Sequence, residues 1–353
     1  MIGWRSGTLD AALILMITGS VLYLRRVTMP RPPIGRFTSG DIAIMSIMLI
    51  VLPVAYLRLP AVAVSAVFGV VLFTAAQTAL APLVGGLGAA GLAALPIAAE
   101  IAAKLTGQAQ VMLIVNDVLI TVAVVGIVNL WAQTGMSAAH VTGLAAVLTC
   151  YDIGATWLGT LTAQFLNKVI TEPFLPMLAV VKGGQTGGFG LGDCLVLVMW
   201  PVVLFRAFGK RPAWIGAIVG LAVAVLIEFA YKDHWVGSYA VIPTMAIVGP
   251  LIILQYLVWR RRLGKEQRTA EWRAGTGRAG PDHIGPLVEQ ALAARADTWG
   301  GARGEYLAVA GGKVVAAAET PGAARHAARL LGSDAVPVVV HGSLIGSRGN
   351  AAG

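Results

Sequence analysis

The sequence predicts an α-helical polytopic membrane protein with about nine transmembrane helices and a small soluble α+β module at its C-terminal end. Three observations predict it. The 353 residues are 57% hydrophobic and only 12% charged, whereas a soluble domain has about 25% charged residues. Apolar runs of roughly 18 or more residues, long enough to cross a bilayer as helices, recur along about the first 260 residues. Beyond about residue 265 the composition turns polar, and short strand-like and helix-like segments replace the long runs. The alternating segments of about ten residues that mark a membrane β-barrel are not visible.

The nine spans fall at 8–24, 41–58, 61–81, 83–104, 111–132, 138–161, 190–208, 213–231 and 238–259. The first is short enough to suggest a signal peptide, but Arg25 and Arg26 follow it rather than a small-residue cleavage site, so it reads as a retained helix. The third and fourth are separated by the Gly-rich LVGGLGAAGLAALP, which also suits one broken helix or a re-entrant segment. Two connections are long. Residues 25–40 are basic and Pro-rich. Residues 162–189 hold an apolar piece, FLPMLAVV, and a glycine-rich stretch, GGQTGG, a composition that suits a mobile gate. Cys150 and Cys194 both lie in apolar runs and read as small buried residues.

The net charge of +9 does not imply nucleic-acid binding, because Lys and Arg in a membrane protein collect in cytoplasmic loops. With nine spans the termini face opposite sides. The side of the C-terminus then carries eleven basic residues (Arg25, Arg26, Arg31, Arg36, Arg206, Lys210, Arg211, Arg260, Arg261, Arg262 and Lys265). The other side carries six (Arg5, Arg58, Lys104, Lys168, Lys182 and Lys232). The expected orientation is N-terminus outside and C-terminal module cytoplasmic, in a multi-pass plasma-membrane protein.

Three domains are expected: a transmembrane domain over 1–264, a linker over 265–283 and a soluble module over 284–345. In the module, LVEQALAARADTW has helical spacing. EYLAVAGGKVVAAAE reads as a hairpin turning at Gly311-Gly312. PGAARHAARLLG reads as a helix between Pro321 and Gly332, and VPVVVH as a last strand. The pattern loosely resembles small prokaryotic accessory modules and supplies no chemistry.

A charge in the bilayer is costly, so intramembrane acids are functional candidates. Glu100 and Glu228 lie near span ends and read as solvated. Asp117 is deeper and beside Asn116, which suits shared structural hydrogen bonds. Asp152 and Asp193 differ in context. Asp152 follows Tyr151 near the middle of the sixth span, and Asp193 follows Gly190-Leu191-Gly192 at the start of the seventh. Small residues let backbone approach closely in membranes, so the glycines leave room beside the carboxylate for a helix or an extended peptide. Two carboxylates brought together in a low-dielectric site cannot both ionise. The ionised member can take a proton from an attacking water, while the protonated member polarises a peptide carbonyl and later protonates the leaving nitrogen.

Gly-x-Gly-Asp alone is a weak signal, and its weight comes from combination. The chain resembles the presenilin and signal-peptide-peptidase superfamily of intramembrane aspartyl proteases. That family has Tyr-Asp in the sixth span, Gly-x-Gly-Asp in the seventh and Pro-Ala-Leu in the ninth. Here Tyr151-Asp152, Gly190-Leu191-Gly192-Asp193 and IPTMAIVGP (242–250) stand in that order and in those spans, with Asp152 to Asp193 and Asp193 to Pro243 separated by 41 and 50 positions. The resemblance covers about residues 8–260. It implies catalytic roles for Asp152 and Asp193. It implies substrate binding or site support for Tyr151, Gly190, Leu191, Gly192, Ile242, Pro243, Thr244 and Met245. Only Pro243 matches Pro-Ala-Leu, since Thr244 and Met245 replace its other two residues. Proline removes a backbone donor and disfavours helix before it, so Ile242-Pro243 still supplies irregular backbone.

The expected activity is hydrolysis of peptide bonds inside single-span membrane proteins or signal peptides. No cofactor, metal or nucleic acid is expected, and the lipid bilayer is the medium. The substrate segment must be unwound, and the 162–189 connection and the Pro243 segment are the places to supply a strand edge for it. A prepilin-type leader peptidase also uses Gly-x-Gly-Asp, but the lysine expected soon after the aspartate is missing between Asp193 and Arg206. A transporter or channel using Asp117, Asp152 and Asp193 as a relay predicts an internal repeat, and none is evident. An inactive helix-binding scaffold is the third alternative. His140, His234, His283, His326 and His341 are scattered and form no ligand cluster.

Overall fold

The structure, a computed structural model, describes residues 8–29, 38–182, 185–232, 243–267, 306–310, 313–330 and 338–341. It divides into two compact units: Met1–Val202 with Ile215–Ile253, and Val203–Trp214 with Leu254–Gly353.

Helices form over the apolar runs, and a further short one forms at the start of the 162–189 connection, where none was expected. They are α1 (Thr8–Arg26), α2 (Ser39–Arg58), α3 (Ala61–Val84), α4 (Gly86–Leu105), α5 (Ala109–Gln133), α6 (Ala138–Asp152), α7 (Leu161–Val169), α8 (Leu191–Phe208), α9 (Lys210–Lys232) and α10 (Thr244–Leu263). Seven helical segments among the described residues are long and apolar enough to cross a membrane: α2, α3, α4, α5, α6 with the turn that follows it, α8 and α9. The protein is therefore membrane-embedded. Helices α1 and α10 stand outside that set, and each carries three charged residues near its ends: Asp10, Arg25 and Arg26 in α1, and Arg260, Arg261 and Arg262 in α10.

In the first unit, α3, α4 and α5 pack together and α1 packs on α5. In lipid the drive is close packing and hydrogen bonding rather than water exclusion. Gly126 of α5 shows this, since a Cβ there would lie 2.6 Å from the Ala79 Cβ and 2.9 Å from the Ala75 carbonyl. The buried residues of α1, among them Leu13, Met16, Ile17, Ser20 and Leu24, recur every three or four positions. Gln133 ties the two C-terminal ends, accepting from the Met29 amide at 3.0 Å and donating to the Val27 carbonyl at 3.1 Å. The third and fourth spans are separate helices, because Gly85 sits between them at φ 79, a conformation that interrupts the helix.

The 162–189 connection, whose composition suits a mobile gate, holds regular secondary structure. After α7 it forms an antiparallel hairpin, β1 (Met177–Lys182) with β2 (Gln185–Gly190). Phe174, Leu175, Met177, Leu178, Ala179 and Phe189 are buried. Polar side chains of α3, α4 and α5 take up its backbone groups. Ser65 Oγ donates to the Pro173 carbonyl at 2.6 Å, and Glu100 Oε1 accepts from the Phe174 amide at 2.5 Å. Asn116 and Asp117 bond Met177 and Ala179. Lys104 donates to the Thr171 carbonyl and pairs with Glu172 at 3.6 Å. Backbone at membrane depth must be satisfied inside the protein, and these contacts do that. Gly183 and Gly184 of the GGQTGG stretch lie outside the described residues.

In the second unit β3 (Tyr306–Ala310), β4 (Lys313–Ala318) and β5 (Val338–His341) form an antiparallel sheet in the order β4-β3-β5. Helix α11 (Pro321–Leu330) packs its Ala324 and Ala328 against Ala308, Ala316 and Val339. Thr320 caps α11 through its Oγ1, 3.3 Å from the Ala323 amide. The expected helix in LVEQALAARADTW, the glycine turn at 311–312, Gly332 and most of the expected linker lie outside the described residues.

Candidate active site

Asp152 is the last residue of α6. The helix widens there into a π-helical turn, Ile153–Trp157, closed by the Leu158 amide on the Ile153 carbonyl at 2.8 Å. Such turns concentrate at functional sites. This one brings the Thr156 hydroxyl within hydrogen-bonding reach of the Asp152 carboxylate. Thr156 Oγ1 lies 2.7 Å from Thr162 Oγ1, and Thr162 also bonds Tyr151. Tyr151 is therefore joined to its neighbour Asp152 through two threonines.

Asp193 stands in the first turn of α8, where a carboxylate complements the exposed amides of a helix start. Strand β2 runs directly into that turn. The Gly190 amide bonds the Asp193 carboxylate, and a Cβ on Gly190 would lie 3.4 Å from Asp193 Oδ2. Leu191 anchors the junction by donating its amide to the Pro176 carbonyl at 2.9 Å. A Cβ on Gly192 would meet nothing within 4 Å, so this glycine leaves open space beside the acid.

The start of α10 brings the two acids together. The first amides of a helix have no partner within it. Here the Met245 amide donates to Asp152 Oδ2 at 2.8 Å, and the Ala246 amide reaches the same carboxylate. The Thr244 side chain bonds Asp193. Thr244 and Met245 are adjacent and buried, so one helix terminus holds both carboxylates, and Asp193 lies within electrostatic reach of Asp152. Pro243 sits half-buried before that terminus, and Ile242 lies outside the described residues. Helix α6 locks onto α10 nearby. Thr149 Oγ1 donates to the Met245 carbonyl at 3.0 Å, and a Cβ on Gly249 would collide with Thr149 Oγ1 and come within 2.9 Å of the Ala145 carbonyl.

Other acids go elsewhere. Glu100 is not a solvated helix end: it is fully buried and holds the Phe174 amide. The reason is that the connection after α7 folds back over α4 instead of leaving the membrane domain. Asp117 and Asn116 hold β1, as their structural reading expected. The Glu228 side chain lies outside the description. Cys194 is buried as expected, but Cys150 is exposed, on a face of α6 turned away from its packing partners. Among the described residues no group of His, Cys, Asp and Glu is placed to hold a metal ion.

Sequence reading missed Thr156, Thr162, Ala246, Thr149 and Gly249. Thr156 had a signal, since it lies four positions after Asp152 and so on the same helix face. Ala246 contributes only its amide, which no residue type reveals.

In comparisons with family models, curated proteins and solved structures, the chain finds no match. Fold and site therefore define a class by themselves: a polytopic helical membrane protein in which two acidic residues from different helices meet at the N-terminus of a third.

Proposed function

We propose that the protein is an intramembrane aspartyl protease whose dyad is Asp152 and Asp193. The observation that carries this is the shared helix terminus, with Met245 N–H on Asp152 at 2.8 Å and the Thr244 side chain on Asp193. A structural acid needs only a partner. Two acids held side by side, with open space at Gly192, suit a pair that shares one proton and one water.

The chemistry follows from that sharing. The ionised carboxylate takes a proton from water as the water oxygen bonds the scissile carbonyl carbon. The protonated carboxyl donates its proton to the carbonyl oxygen, giving a gem-diol. Collapse of the gem-diol breaks the C–N bond, the nitrogen leaves with a proton, and the dyad returns to its starting state. No cofactor enters. The substrate must lie extended, and β2, which ends at Gly190 three positions before Asp193, offers an edge for it.

In this reading all nine long helices span the membrane, with the N-terminus outside and the C-terminal module in the cytoplasm. Substrates are then single-span proteins or signal peptides with N-terminus inside and C-terminus outside. The absence of a lysine between Asp193 and Arg206 separates this reading from prepilin-type leader peptidases.

Reconstitution of the full chain with model single-span substrates tests the proposal. Wild type should cut within the span, and Asp193→Ala should lower the rate by at least about 10²-fold, the scale of general acid–base catalysis. Equal rates for the two proteins would remove it.

A further inference from the structure

A β-hairpin has two outer edges, and here they are treated differently. The register pairs Leu178 with Phe189 and Val180 with Gly187, and the Leu191 amide meets the Pro176 carbonyl at 2.9 Å. Antiparallel strands alternate the side to which backbone groups point. Leu178 and Val180 therefore face β2, while Met177 and Ala179 turn their backbone groups away from it.

Two of those outward groups of β1 are taken by side chains of α5. Asn116 Nδ2 donates to the Met177 carbonyl at 3.0 Å, and Asp117 Oδ1 accepts from the Ala179 amide at 2.9 Å. A carbonyl and an amide two residues apart on one edge are the pair a third strand would use. Two consecutive side chains of α5 take that strand's place. Asn116 is fully buried, and its remaining oxygen finds no partner among the described residues. The position is thus held by its amide donor rather than by a fully satisfied network.

The far edge of β2 has no strand on it among the described residues. By the same alternation Gly188 and Gly190 face outward there. The Gly190 amide is committed to Asp193. Gly188 tolerates no larger residue, since a Cβ would run into the Leu178 carbonyl and lie 2.9 Å from the Met177 methyl. A strand added at Gly188 would lie about 4.8 Å from β2 and run on past the dyad.

We propose that Asn116 and Asp117 are specificity-determining positioning residues: by closing the outer edge of β1 they direct an extended substrate segment to β2 and fix the register in which its peptide bonds meet Asp152 and Asp193. The inference rests on the proteolytic reading. Its physical basis is that a strand-pairing slip of one residue turns every side chain to the other face. A hairpin pinned at two backbone groups cannot slide along α5, so each position on β2 keeps its height relative to the dyad.

The test uses the full-length protein in proteoliposomes with a single-span reporter, and product termini are read by mass spectrometry. Asp117→Asn keeps an oxygen for the Ala179 amide and should retain the wild-type cleavage position. Asp117→Leu and Asn116→Leu should spread cleavage over neighbouring bonds, lowering the share of the main product about threefold. Hydrogen exchange supplies a readout independent of cleavage. The Ala179 amide should exchange about tenfold faster in Asp117→Leu and at the wild-type rate in Asp117→Asn. Active Asp117→Leu and Asn116→Leu proteins with unchanged product termini overturn the inference and leave the protease standing. Loss of the wild-type cleavage position in Asp117→Asn also overturns it, because that variant keeps the clamp and removes only a proton carrier. A wild-type protein that cuts no reporter overturns the proteolytic reading, and the register role with it. Unchanged Ala179 exchange in Asp117→Leu overturns the clamp alone.

Discussion

At Thr244 a hydroxyl reaches Asp193 while the next residue's amide holds Asp152. A hydrogen bond to a charged group contributes about 1.5–3 kcal/mol. Thr244→Val should therefore slow cleavage by at least about tenfold, and Thr244→Ser should restore most of the rate. Initial-rate measurements on reconstituted protein check this, and equal rates for Val and Ser would show that the hydroxyl is idle. Gly249 makes a stability prediction. Its missing Cβ admits the Thr149 side chain and the Ala145 carbonyl. Gly249→Val should destabilise the fold by about 1–3 kcal/mol, the usual cost of overpacking, measurable as a lower unfolding midpoint in detergent. The residue scale is also where the sequence was most informative for chemistry. Asp152 and Asp193 stood out because buried charge is costly and each had a distinctive neighbour, Tyr151 in one case and Gly190-Leu191-Gly192 in the other. Ala246 and Thr162 could not stand out. One contributes a backbone amide, and the other reaches Asp152 only through Thr156, while its own bond to Tyr151 leaves no mark in the sequence.

The hairpin between α7 and α8 is the element that composition did not reveal. GGQTGG and FLPMLAVV look like a mobile, partly apolar loop. In the fold, Gly188 of β2 serves close approach to β1, and Phe174, Leu175, Met177, Leu178 and Ala179 are buried. The pairing was hidden because its partners are far away in sequence: Glu100 lies 74 positions from Phe174 and Asn116 61 from Met177. Phe174 carries the local strain. Its φ of 59° is uncommon for a bulky residue, and such conformations cost about 1–3 kcal/mol unless the surroundings impose them. The Glu100 carboxylate on its amide and the fit of its ring over Gly69 impose it here. Glu100→Ala should leave that amide unpaired at a cost of about 1–3 kcal/mol. Hydrogen exchange across residues 171–179 should rise in this variant, and unchanged exchange would show that the latch is not needed. The long helices, by contrast, were legible throughout. Apolar runs mark them, and Gly85 marks the break between α3 and α4.

At the scale of the whole molecule, the membrane class follows from the seven long apolar helices among the described residues. The proposed nine-span topology adds α1 and α10, and with them a proposed orientation. A reporter fused after Gly353 should be active only as a cytoplasmic fusion, and activity on the outer side would reverse both the orientation and the preferred substrate direction. The described C-terminal strands and the helix at Pro321 were legible, because alternation and Pro/Gly punctuation survive in short segments. The central claim is that Asp152 and Asp193 act as one catalytic unit. Groups that act as a unit are strongly non-additive when removed. The most direct measurement is the cleavage rate of one oriented single-span substrate by wild type, Asp152→Asn, Asp193→Asn and the double variant, reconstituted side by side. The account predicts cleavage by wild type alone, with both single variants as inactive as the double. A single variant retaining a rate close to that of wild type, or a double variant far slower than either single one, would contradict it.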